Sequence, residues 1–184
     1  LAQTYFEKID ETHQSEPYKE KKAEELMIRK NYDALGSFNR QDRSEALDLL
    51  GVKSQLVFPT SPNVWLESLE HGDDFDMLYE VAAATNRAQL EFCSKDQRLL
   101  PVTYIPLADI ERSIQTAKTA MDQGSRALLI PCACPKNHST SHIGLDPMWA
   151  MAEEAGIPIL FHVGTADFVL PKAHSLNGMP KVKD

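Results

Sequence analysis

The sequence predicts an α/β protein built on a parallel sheet, and three observations carry that reading. A helix pattern closed by glycine and followed by a short apolar run recurs along the chain, the apolar runs are nearly continuous, and they end on residues such as proline, cysteine or histidine. Continuous apolar strands are those covered on both faces. Strands that alternate with helices imply a parallel sheet with right-handed crossovers. A doubly wound sheet and part of a (β/α)8 barrel both satisfy the pattern.

The elements follow in order. Residues 1–36 are charge-dense, with "EPYKEKKAEELMIRKNYDAL" placing Glu and Lys at helical spacing, and read as a surface helical arm or lid. Residues 37–184 form the second part. "NRQDRSEALDLLGVKSQLVFPT" offers Asn39 as N-cap, a helix ending at Gly51, and a strand ending at Phe58, Pro59 and Thr60. A longer helix carries Leu78, Val81, Ala82 and Thr85 in register and leads to a strand around Leu100 to Pro106. "DIERSIQTAKTAMDQGSRALLIPC" repeats the grammar, with Asp109 as cap, Ile110, Ile114, Ala117 and Met121 on one face, Gly124 as stop, and a strand ending at Pro131. In "LDPMWAMAEEAGIPILFHVG", Asp146 is the expected cap and Pro147 the first helical residue. Met148, Met151, Ala152 and Ala155 form its expected buried stripe, before a strand that ends in His162. The prediction is thus four helices alternating with four strands.

With 184 residues, 42% hydrophobic and 25% charged, the composition is that of a globular protein. A net charge of -8 argues against a nucleic-acid surface and for a small-molecule partner. No apolar run reaches membrane-span length, and "LAQTYFEKIDETHQ" has no secretory pattern, so the expectation is a cytoplasmic protein without membrane partners. Three cysteines, Cys93, Cys132 and Cys134, are too few for a disulfide framework. Oligomeric state is open, a homo-oligomer being one option.

Chemistry in either parallel fold occurs beyond the carboxyl ends of the strands, here Pro59 and Thr60, Pro106, Pro131 and Cys132, and His162. An imidazole closing an apolar run needs partners for both ring nitrogens, which suits a metal ligand or proton carrier as well as a structural histidine. Gly164 would let the chain turn beside it.

From about Arg40 onward the sequence resembles the amidohydrolase-related group that includes aminocarboxymuconate semialdehyde decarboxylase and its relatives. The residues that carry the resemblance are Asn86, Arg98, the "LDPMW" element and "FHVG", in that order, with "LNGMP" after them. The resemblance implies a (β/α)8 TIM-barrel-like fold holding one divalent metal, commonly zinc, and it assigns His162 as the metal ligand on the fifth strand. Family members usually add a first-strand histidine motif and an eighth-strand aspartate. This chain has no HxH, and about 22 residues follow His162. Strands two to five are therefore expected, as a partial barrel belonging to a longer polypeptide. Leu56, Phe58, Leu129 and Leu160 would be exposed barrel-interior residues. The activity implied is metal-dependent hydrolysis or non-oxidative decarboxylation of a small carboxylated or cyclic substrate. The alternative is a non-catalytic α/β small-molecule-binding protein or a degenerate barrel without activity.

Further residues are weighed beside His162. "CACPKNHSTSH" sets Cys132, Cys134, His138 and His142 within eleven residues, but the expectation is a packed Cys132 and a substrate-facing loop rather than a structural zinc site. His174 and Asn177 are candidate substrate-binding residues on the loop after the His162 strand, although Gly178 and Pro180 equally suit an ordinary turn. Asn86 and Arg98 read as residues linking helix to strand, His13 and His71 as solvent-facing, and Trp149 as helix packing.

Overall fold

The computed structural model describes residues 34–162 and 176–179. The helical arm expected over residues 1–36 falls almost wholly outside them, as do His13, Gly164 and His174. The elements in chain order are α1 (Arg40–Leu50), β1 (Gln55–Val57), α2 (Thr60–Glu70), α3 (Phe75–Cys93), β2 (Leu99–Tyr104), α4 (Ile110–Asp122), β3 (Ala127–Ile130), a 3-10 turn (Ile143–Leu145), α5 (Asp146–Glu154) and β4 (Ile159–Phe161). The strands form one sheet in the order β1-β2-β3-β4. The β2–β3 and β3–β4 pairs are parallel, with Leu129 opposite both Tyr104 and Leu160.

Local chemistry accounts for most of these boundaries. Asn39 is the N-cap of α1, its side chain accepting from the Gln41 amide at 3.0 Å, and Asp109 caps α4 by accepting from the Arg112 amide at 3.0 Å. Gly51 closes α1 with φ of 65°, a conformation that costs glycine nothing.

Three expectations about the helices need correction. Thr60, expected at a strand end, instead begins the helix Thr60–Glu70, in a stretch for which the sequence pattern predicts no further element. "TSPNVWLESLE" looks like a turn because of its Ser, Pro and Asn, yet Pro62 falls in the first turn, where amide hydrogens have no intrahelical partner anyway. The cap of α5 is Leu145, not Asp146. A 3-10 turn capped by His142 runs directly into the helix, leaving Asp146 in its first turn, where a negative charge still complements the helix dipole. In α5, Met148 and Ala152 are buried but Ala155 is exposed at the helix end.

The chain divides into two compact units, Leu1–Gln55 with Phe92–Leu99, and Leu56–Glu91 with Leu100–Asp184. In the first, Arg98 gathers Asp96 at 2.8 Å, Asp48 at 2.5 Å and the Ser44 carbonyl at 3.2 Å, tying α1 to the turn before β2. Hydrogen bonds from Arg98 hold the Asp96 carboxyl well below the usual carboxylate range. This is the linking role expected of Arg98.

In the second unit the strands feed two apolar clusters. Val102, Tyr104, Ala127 and Leu129 join Leu66 from α2 and Leu78, Tyr79 and Ala82 from α3. Leu128 and Ile130 join Ala117 and Ala120 from α4 and Met148 and Ala152 from α5, with Trp149 packed alongside. Alternate residues of β3 thus serve opposite faces, which is why its sequence is continuously apolar. Each fully buried Leu or Ile contributes roughly 1.5–3 kcal/mol. Leu129, expected at an exposed barrel interior, is instead 1% exposed because α2 and α3 share its cluster. Phe58 and Leu160 are half-buried against the same cluster, and Leu56 is exposed.

Candidate functional site

The carboxyl ends of the strands assemble the candidate site. β4 stops at Phe161, paired with Ile130, so His162 is the first residue beyond the sheet and stands level with Pro131. His162 is exposed, and its ring lies 5.7 Å from that of Phe58, tilted by 56°. Phe58 follows β1 and His162 follows β4, the two outermost strands of the sheet. Three interstrand gaps would separate those ends by about 14 Å on a flat sheet. Their meeting shows a sheet curved like an arc of a barrel, with both side chains on the same side.

The neighbouring rim is held by backbone and thiol contacts. The Cys132 thiol donates to the His162 carbonyl, and burial pushes that thiol up, so it persists as a neutral donor. Tyr104, the last residue of β2, is fully buried, and desolvation drives its phenol far above the ordinary tyrosine value. Its backbone is gripped by Asn86, whose Oδ1 accepts from the Tyr104 amide and whose Nδ2 donates to the Tyr104 carbonyl, each at 2.8 Å. Asn86 therefore links α3 to β2, as its position in the sequence suggests.

The cysteine and histidine cluster is arranged for loop structure. The Cys134 thiol donates to the His138 carbonyl at 3.1 Å, and His138 Nδ1 meets the Ser139 carbonyl at 2.9 Å. His142 Nδ1 accepts from the Gly144 amide at 3.0 Å, and the two imidazoles stack obliquely at 5.4 Å. His71 is solvent-exposed as expected, yet both its nitrogens are engaged, with the carbonyls of Glu67 and Cys134. Among the described residues no group of three or more His, Cys, Asp or Glu side chains is arranged to hold a metal ion.

Asn177 lies against the same loop. Its carbonyl accepts from Ile143 at 2.8 Å and its Oδ1 accepts from the Met179 amide at 3.0 Å, closing a turn around Gly178. Gly178 has φ of 77°, and a Cβ there would come within 2.7 Å of His142 Nε2, so a side chain would be strained and would displace the His142 ring. A crevice of about 180 Å³ lies between α3 and α4, lined among others by Arg87, Gln115 and Thr119, on helices rather than at strand ends.

Sequence reasoning did not find Glu70 or the ring contact of Phe58. Glu70 ends the unrecognised helix α2, completely buried, with Oε1 accepting from the Leu107 amide at 2.7 Å. An acidic residue three positions after the polar Glu67 gives no sign of burial until α2 is seen to pack. Tyr104 gave no signal of the kind His162 gave, because the apolar run continues past it through Ile105, Pro106 and Leu107.

A curved parallel sheet with helices, bearing a histidine at the carboxyl rim, defines a part of a (β/α) barrel, with the candidate site at the strand ends. The chain belongs to the amidohydrolase family, whose profile matches residues 32–180. A crystal structure of an amidohydrolase from Mycobacterium avium subsp. paratuberculosis K-10 superimposes with a TM-score of 0.65 at 24% identity, over 76% of this chain and 37% of that one. The chain therefore spans a little over a third of the length of that solved protein. No curated protein matches it significantly. Among the described residues no helix is long and apolar enough to cross a membrane.

Proposed function

We propose that the intact protein is a metal-dependent hydrolase or non-oxidative decarboxylase of the amidohydrolase superfamily. Its substrate is a small carboxylated or cyclic organic molecule, and His162 is one ligand of a divalent ion, zinc by preference. The observation that carries this reading is the place of His162, exposed and one residue past β4, in a chain of this family. A neutral imidazole suits zinc-type ions, and a divalent ion supplies Lewis-acid chemistry when bound. A catalytic zinc takes three protein ligands. Among the described residues no such set is formed, and on this reading His162 is one donor among several, with the others outside them.

What this chain contributes is orientation. Phe58 packs beside the imidazole, and the Cys132 thiol pins the carbonyl of the same residue, so ring and backbone are both restrained. His174 and Asn177 are the proposed substrate contacts from the loop that follows.

The test is His162→Ala in the intact protein, read by bound metal and by turnover. Metal affinity is expected to fall at least tenfold and activity to collapse, with far-ultraviolet circular dichroism unchanged, because the apolar run "IPILF" keeps its packing. Full metal occupancy and full turnover in the variant would make His162 a structural residue. Carbon dioxide release, measured against hydrolysis product, separates the two reaction types.

A further inference from the structure

One buried carboxyl stands apart from the candidate metal ligand. Glu70 Oε1 accepts from Leu107, but Oε2 has no hydrogen-bond partner, and neither does the buried hydroxyl of Tyr104. Leu107 lies in the β2–α4 loop, which Tyr79 also holds: its hydroxyl donates to the Asp109 carbonyl at 2.8 Å and accepts from the Asp109 amide at 3.1 Å.

The titratable groups facing Glu70 are Tyr79 from α3 and Tyr104 from β2, with Glu67 one turn earlier and His71 next in sequence. Asp109 adds negative charge on the loop beside Tyr79, and Cys132 lies beside Tyr104. Among the described residues no lysine or arginine pairs with Glu70. A carboxyl buried without a cation is most stable neutral, because ionisation would leave a desolvated charge. Burial accordingly pushes Glu70 up to about 8, against the opposing pull of the Leu107 and Ala108 amides.

We propose that Glu70 is a proton-dependent clamp on the β2–α4 loop: with its carboxyl neutral it holds Leu107 on the end of α2, and release of the loop is coupled to loss of the proton. In the closed loop the group keeps its proton up to about pH 8, whereas in a released, hydrated loop it returns to the ordinary value of 4.5. Opening therefore expels a proton between those two values. The opening constant rises with pH through that window by up to about tenfold per unit and levels off above it. The loop is held most firmly below about pH 5. The clamp rests on Glu70 and not on His162, so it stands or falls independently of the metal reading.

The test is hydrogen exchange at the Leu107 amide of the intact protein, corrected for intrinsic exchange, from pH 5 to 9. Protection is expected to fall by up to about tenfold per unit up to about pH 8 and then to flatten. Glu70→Gln keeps an oxygen for Leu107 but cannot ionise, and its protection should be independent of pH. A flat wild-type profile, or a Glu70→Gln profile that falls as the wild type does, would overturn the clamp. If the variant does not fold, the carboxyl carbon resonances of the wild type decide. A glutamate titrating near pH 8 supports the proposal, and titration of every glutamate below about pH 6 overturns it.

Discussion

Asn86 gives both ends of its amide to the backbone of one residue, Tyr104, and it is only 5% exposed. Gln89, almost one turn further along α3, similarly donates to the Val57 carbonyl. Each amide satisfies polar groups at the end of a strand, where the ladder has no more partners to offer. Asn86→Ala would leave the amide and carbonyl of Tyr104 unpaired in a buried setting. A loss of about 2–4 kcal/mol is expected, for two groups at roughly 1–3 kcal/mol each and allowing for partial relaxation. Chemical denaturation of variant and wild type measures it, and a loss within about 0.5 kcal/mol would show that water replaces the side chain.

Asp109 does the corresponding work for a whole element, accepting from the Arg112 amide at the start of α4. Its carbonyl also receives the Tyr79 hydroxyl, so the cap is tied to α3. Asp109→Ala removes only the side-chain acceptor and should cost about 1 kcal/mol, whereas Asp109→Asn should cost a few tenths, since both residues cap well. Thermal unfolding of the two variants distinguishes a capping role from a purely ionic one, which would penalise them equally. Caps of this kind make a helix legible in its sequence. Asn39 and Asp109, followed by helical periodicity and a glycine stop, announce α1 and α4 locally. Helix α2 makes no such announcement, because Pro59 supplies no side-chain cap and "TSPNV" carries turn-prone residues. The position of His162 just past a strand was legible, because a polar ring closing an apolar run needs partners that a packed core does not supply. Glu70 was not, because its burial depends on how α2 packs, a tertiary effect that leaves no local pattern.

For the whole molecule, the sheet order leaves β1 and β4 at its two ends, and the chain covers 37% of the amidohydrolase it resembles in fold. Phe161 on β4 is 64% exposed, and Leu56 on β1 is 38% exposed. A closed barrel has no edges, so in an intact protein with the rest of the strands both residues would be covered. Phe161 offers the sharper measurement because exposed and buried phenylalanines respond so differently to truncation. If the ring stays at solvent, Phe161→Ala should change stability by no more than about 0.5 kcal/mol. If further strands close over it, the same substitution opens a cavity and should cost about 3–5 kcal/mol. The larger value is expected for the intact protein, measured as the shift in denaturation midpoint at constant slope. A near-neutral Phe161→Ala would mean that nothing covers this edge, and the partial barrel would then be the working form of the protein.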